Sequence, residues 1–212
     1  LVIPFFPVVG LIIGSLWCGA VLLLNLAGLS TVMLSAFLML FPYLITGFLH
    51  IDGFMDTSDA VLSRRPAEEK LRILKDPHTG AFAVVSVLVL FVMCFASAYE
   101  IASDISDTGK LRFLVFMPVI SRSLAGTALL SLKIIPQSSY GSYFRKHTKT
   151  VHKIWLVLAG SSSVAAVCLL SGCKGLIAAA AMIAGFCLSI LHAYRQLGGV
   201  SGDVSGYALT VS

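Results

Sequence analysis

Six apolar stretches set what this chain can fold into: roughly 4–27, 31–49, 80–100, 113–132, 154–171 and 176–193. An apolar run of about 18 residues or more is long enough to cross a bilayer as a helix. The expected fold is therefore an all-α polytopic membrane protein with about six transmembrane helices, built as one integral-membrane domain over 1–212. The chain is 58% hydrophobic and 12% charged, whereas soluble domains average about 45–50% apolar residues. Pro4, Pro7, Pro42 and Pro118 fall inside or at the ends of these stretches, where neighbouring helices satisfy the carbonyls a proline frees. The first stretch lacks the basic leader of a secretory signal and five more follow it, so it reads as a span. Cys18, Cys94, Cys168, Cys173 and Cys187 form no CxxC pair and read as small apolar residues.

Positive charge gives the orientation. The connection 50–79 carries Arg64, Arg65, Lys70, Arg72 and Lys75; the connection 133–153 carries Lys133, Arg145, Lys146, Lys149 and Lys153; Arg195 follows the last span. The opposite side has only Lys110, Arg112 and Lys174, so the bias is eleven to three. With six spans the three rich segments share one side, which is expected to be cytoplasmic. The stretch 134–153 reads as a mobile cytoplasmic loop. The net charge of +5 follows from this bias; attraction of anionic substrate or lipid headgroups is a secondary reading, and no nucleic-acid partner is expected.

The polar residues that remain are unusual for such a chain. His50-Ile-Asp-Gly-Phe-Met-Asp-Thr-Ser-Asp59 places three aspartates within eight residues at a span edge. On a helix, Asp52, Asp56 and Asp59 fall within an arc of about 60°. Convergent carboxylates repel one another and raise each other's pKa unless a cation sits among them. Hard oxygen donors without cysteine favour Mg²⁺ or Mn²⁺ over zinc, and carboxylate-held magnesium usually partners phosphate oxygens. Phosphoryl or nucleotidyl transfer is the chemistry this predicts. The competing reading has the aspartates capping helices and pairing with Arg64, Arg65 and Lys75.

Asp76 follows an amphipathic stretch, Pro66 to Leu74, expected along the membrane surface. Asp203, in a glycine-rich segment on the same side, completes the site or caps a helix. His50 reads as base, ligand, phosphate donor or plain interfacial histidine. Lys75 reads as a phosphate partner or an interfacial anchor. Arg122 lies inside the fourth span, where an arginine usually faces a polar cavity. His78, His147, His152 and His192 show no paired ligand spacing.

His50 to Asp59 resembles the H-x-D-G-x-x-D-x-x-D signature of cobalamin synthase, the adenosylcobinamide-GDP ribazoletransferase family. Lys75-Asp-Pro-His-Thr-Gly-Ala-Phe82 is similar to that family's K-D-x-x-x-G-A-F element, and Ser121-Arg122 and Gly202-Asp203-Val-Ser-Gly206 to two more. The resemblance covers nearly the whole chain. It implies a Mg²⁺-dependent enzyme of a bacterial or archaeal plasma membrane, with its active site facing the cytoplasm. A ribose hydroxyl of α-ribazole, or of its 5′-phosphate, would attack the cobinamide-proximal phosphorus of adenosylcobinamide-GDP, releasing GMP and leaving adenosylcobalamin or its 5′-phosphate. Asp52, Asp56, Asp59, Asp76 and Asp203 would hold metal, Lys75 and Arg122 would neutralise phosphate, and His50 would be the candidate base. Membrane lipid is an expected partner, and the reading is compatible with an oligomer. The family's N-terminal polar segment, its last hydrophobic stretch and the glutamate after the Gly-Asp element are expected to be missing. His78 stands where arginine is common.

Two other readings are weaker. A CDP-alcohol phosphotransferase needs Ala-Arg soon after Asp-Gly, where this chain has Phe54-Met55-Asp56. A cation transporter needs carboxylates in mid-span, whereas these sit at a span edge.

Overall fold

The computed structural model describes residues 2–105, 108–136 and 148–212. A short 3₁₀ turn (Ile3–Phe5) leads into α1 (Phe6–Leu26), followed by α2 (Thr31–Ile45), α3 (Leu49–Leu62), α4 (Ala67–Ile73), α5 (Ala81–Ala102), α6 (Thr108–Ser131), α7 (Thr150–Leu197) and α8 (Gly202–Val211). No strand forms among the described residues; one isolated parallel bridge joins Ile134 to Val200. The fold is all-helical, as expected.

Four helices are long and apolar enough to cross a membrane, α1, α5, α6 and α7, or five if α2 and α3 count as one bent span. Two local features separate this from six simple spans. First, the apolar stretch 31–49 does not run straight. α2 ends at Ile45, Gly47 and Phe48 take left-handed backbone (φ 59° and 61°), and α3 leaves at 89°. Left-handed backbone cannot continue a right-handed helix. Second, α7 breaks at Gly172, where φ 57° and ψ −143° are open only to glycine. A Cβ at Gly175 would lie 2.5 Å from the Val167 carbonyl oxygen, and Val164 and Val167 share a cluster with Met182 and Ile183. The segments before and after Gly172 therefore fold back on each other as an antiparallel hairpin, which matches the two separate stretches 154–171 and 176–193.

α6 is central, packing on α1 and on both arms of α7. More than half of its apolar window is buried (56%), against 11% for α5. Val85, Leu88, Val92 and Met93 of α5 are exposed, and a continuous bare apolar face of this kind fits a surface covered by lipid. Close approach of α1 and α6 comes from small residues: a Cβ on Gly10 would meet the Pro118 carbonyl oxygen at 2.5 Å, and one on Gly14 would strike the Val115 carbonyl.

The helices alternate in direction. One cluster gathers Trp17 and Val21, Leu34 and Leu38, Ala98 and Ala102, and Leu111 and Leu114 at one end of the bundle. The main core lies at the other end, where Ala60 and Val61 of α3 and Leu74 meet Ala125 and Leu129, Leu156, Ala193 and Leu197, and Val204 and Ala208 of α8. The aspartate helix, α4, the connection after α6 and the tail thus share one end, as charge counting expects. The centre of the expected loop 134–153, residues 137–147, lies outside the described residues.

Gly14→Leu should force α1 off α6 and destabilise the fold by about 1–3 kcal/mol, the usual cost of overpacking. Gly19→Ala, with open space around it, should leave the thermal unfolding midpoint in detergent unchanged. Equal midpoints for the two variants would contradict this packing.

Candidate active site

α3 carries Asp52, Asp56 and Asp59 on one helix, with Asp52 exposed and the other two half-buried. The opposite face, with Phe54, Thr57 and Val61, is buried. This amphipathic split fixes the direction the carboxylates face.

The helix is held in place by α8. A Cβ on Gly53 would lie 2.9 Å from both the Cα and the carbonyl oxygen of Asp203, and one on Gly206 would lie 3.6 Å from the His50 Cα. Each glycine is seated on the opposite helix's backbone. Phe54 stacks on Tyr207 beside the crossing (centroids 5.5 Å apart, 14° between planes). The Thr210 hydroxyl donates to the His50 carbonyl oxygen at 3.1 Å. Ser201 caps α8 by accepting from the Val204 N–H at 3.2 Å, which places Asp203 in the first turn.

The crossing brings the Asp203 carboxylate to the α3 cluster. Burial, and then the charges of Asp52, Asp203 and Asp59, push the Asp56 carboxyl up to about 6. Among the described residues none of these four carboxylates forms an ion pair. The arrangement calls for a cation, and an all-oxygen donor set suits a hard one. No three His, Cys, Asp or Glu side chains among the described residues converge closely enough to make a metal-binding group. The fit is one of donor type and charge.

Asp76 stands apart from this cluster. It is exposed, accepting from the His78 N–H at 2.9 Å and lying 2.7 Å from the His78 Nδ1, and these bonds hold its carboxyl below the usual range. It reaches the site only across a cleft of about 210 Å³ that it lines together with Asp59, Ser63 and Gly80. Gly80 lies directly against the Asp59 carboxylate, where any side chain would collide. Lys75 is exposed on the turn before Asp76, its N–H bonded to the Arg72 carbonyl at 3.0 Å.

Arg122 is 8% exposed on α6, its Nη2 3.5 Å from the His50 Nε2. Facing a guanidinium, that nitrogen acts as the acceptor. Burial, and then the Arg122 charge, push the His50 imidazole down to about 4. His78 is a surface residue bonded to Asp76 at the edge of the cleft, and His152 accepts from the Lys149 N–H at the start of α7.

Sequence reasoning left three contributors unassigned. Gly206 lies one helical turn beyond Asp203, a spacing that puts both on the face toward α3. Gly80 is the glycine of the K-D-x-x-x-G-A-F element, which does not reveal its partner on α3, and Thr210 carries no signal because its partner is remote in the chain.

The chain matches the family described as Cobalamin-5-phosphate synthase over residues 2–212. It is 40% identical over 210 residues to an adenosylcobinamide-GDP ribazoletransferase of Clostridium botulinum (strain Alaska E43 / Type E3), covering 97% of this chain and 81% of that protein. It is 38% identical over 211 residues to the protein of that name from Clostridium perfringens (strain 13 / Type A), covering 99% and 82%. A third, from Halalkalibacterium halodurans, is 33% identical over 215 residues, covering 96% and 78%. No solved structure matches.

Gly53→Ala should push α3 off α8 and cost about 1–3 kcal/mol. Gly202→Ala, where nothing lies within 4 Å of the added carbon, should be neutral. Thermal melts of the pair check this, and an undisturbed Gly53→Ala protein would exclude the close crossing.

Proposed function

The chain belongs to the cobalamin-5-phosphate synthase family, and from that premise we propose that it transfers the adenosylcobinamide-phosphate group of adenosylcobinamide-GDP to α-ribazole or its 5′-phosphate. GMP leaves, and adenosylcobalamin or its 5′-phosphate forms. One observation carries the reading. Each sequence element that is remote from α3 touches it: Asp203 at Gly53, Gly80 at Asp59, and Arg122 at His50. Four separate stretches of chain thus build one place at one end of the bundle.

Asp52, Asp56, Asp59 and Asp203 would hold Mg²⁺ or Mn²⁺, with Asp76 joining from across the cleft. When bound, the cation would neutralise the diphosphate oxygens and the leaving oxygen of GMP. The chain's own groups do the rest. The ribose hydroxyl oxygen forms a bond to the cobinamide-proximal phosphorus, and the bond from that phosphorus to the oxygen that leaves with GMP breaks. His50 is the candidate acceptor of the hydroxyl proton, its imidazole kept neutral by burial and by the guanidinium beside it. Lys75 and Arg122 supply positive charge to the phosphates. Six crossings follow if α2 and each arm of α7 span the bilayer, with α3 and α4 along its face. The eleven-to-three charge bias then puts the site on the cytoplasmic side of the plasma membrane.

Purified protein given adenosylcobinamide-GDP, α-ribazole and Mg²⁺ should release GMP, and chelation should abolish release until Mg²⁺ is restored. Asp56→Asn should lower the rate by at least about a hundredfold, more than the loss of a group that merely supports a ligand. A folded protein that releases no GMP overturns the assignment. Orientation has its own test. With Cys173, exposed at the turn of the α7 hairpin, as the only cysteine, an impermeant maleimide should label intact cells. A cysteine placed at Ser63 should react only after permeabilisation. The reverse pattern would invert the topology.

A further inference from the structure

Behind the carboxylate helix lies a cavity of about 80 Å³ enclosed by α1, α2, α3, α6 and α8. Its lining includes Trp17, His50, Met117, Arg122 and Thr210, and no carboxylate. Two of these side chains carry donors that the protein leaves unmatched. The Arg122 guanidinium has five N–H groups, and among the described residues its one hydrogen-bond contact is the 3.5 Å approach to His50. Trp17 is 6% exposed, and its indole N–H, fully buried, has no partner among the described residues. The remaining polar groups are already engaged: the Thr210 hydroxyl donates to the His50 carbonyl, and the Ser121 hydroxyl to the Pro118 carbonyl.

A buried cation with nothing negative beside it, next to an indole that can only donate, is complementary to an oxyanion. The space suits one small group, being several times the roughly 10–15 Å³ that a single water needs on the same measure. His50 lines the cavity from the first turn of α3, and the aspartates leave the same helix on its other side.

We propose that this cavity is an oxyanion subsite in which Arg122 and the Trp17 indole N–H hold a phosphoryl group of the diphosphate substrate. The inference rests on the transferase reading above and makes Trp17, a residue with no sequence signature, a binding residue. A membrane-lipid phosphate offers the same chemistry. The contact of Arg122 with His50, on the helix that carries the aspartates, favours the substrate.

Trp17 reports on the cavity directly. Trp155→Phe leaves it as the sole tryptophan, and Trp155 lies elsewhere, donating to the Pro4 carbonyl. In detergent free of anionic lipid, sodium pyrophosphate should change Trp17 emission saturably. Arg122→Gln should weaken that response at least about tenfold, as expected for loss of a charged hydrogen-bond partner. In the otherwise wild-type protein, Trp17→Phe should raise the KM for adenosylcobinamide-GDP about fivefold with kcat retained, a split that a packing role would not produce. GMP release with no pyrophosphate response overturns this inference and leaves the transferase reading intact. A pyrophosphate response without GMP release sinks the transferase reading and the choice of that substrate, and leaves the oxyanion subsite standing. A response only to vesicles containing phosphatidylglycerol assigns the cavity to lipid and overturns the substrate assignment.

Discussion

The backbone contact between α3 and α8 at Gly53 governs the rest of the site. With 2.9 Å between a notional Cβ and the Asp203 backbone, no residue larger than glycine fits without movement. That one contact determines where Asp203 sits, and so whether a fourth carboxylate joins the three on α3. It also sets the height of Gly206 opposite His50, the stack of Phe54 on Tyr207 and the bond from Thr210 to the His50 carbonyl. In lipid, where no hydrophobic force draws helices together, close packing of small residues is what gives such a crossing its strength.

The surrounding core then fixes the crossing to the bundle. Val204 and Ala208 of α8 pack with Ala193 and Leu197 of α7 and with Ala125 and Leu129 of α6. The turn into α8 is tied to the end of α6, with the Ile135 N–H donating to the Val200 carbonyl at 2.9 Å and the Val200 N–H to the Lys133 carbonyl at 2.8 Å. α4 is anchored similarly. Lys70 is buried and its ammonium donates to the Gln196 side-chain carbonyl, while Leu71, Ile73 and Leu74 enter the same core. α4 leads directly into the turn that carries Lys75, Asp76 and Gly80, so its docking sets how that turn approaches Asp59.

Much of this was legible from the chain. Hydropathy located the long helices, and helical spacing put Asp52, Asp56 and Asp59 on one face of α3, because both signals are local and periodic. The bend after Ile45 was not legible: residues 31–49 are apolar throughout, and a hydropathy window does not register backbone handedness at Gly47 and Phe48. Asp76 illustrates a different limit. Proximity in sequence to a motif suggested a shared metal, yet its bonds to His78 turn it to solvent across a cleft. Trp17 shows the converse, an apolar-looking residue in a long apolar helix whose one polar atom matters only once its neighbours are known.

The 89° departure of α3 from α2 resolves the tension between carboxylates and lipid. An aspartate at the centre of a spanning helix costs about 2.5–3.5 kcal/mol on insertion scales, so three of them on a straight continuation of α2 would oppose insertion. Turning the chain at Gly47 and Phe48 carries the aspartates out along the end of the bundle, where one face of α3 is wet and the other packs into the core. Arg122 does not escape the same way, since it lies well inside α6, the helix at the bundle centre. Its charge is held inside, beside a cavity rather than beside a carboxylate. The two halves of the site therefore obey opposite rules. The negative half is brought out to solvent by a bend in the backbone. The positive half stays in the dry interior, where a guanidinium acts on an incoming oxyanion with little screening from water.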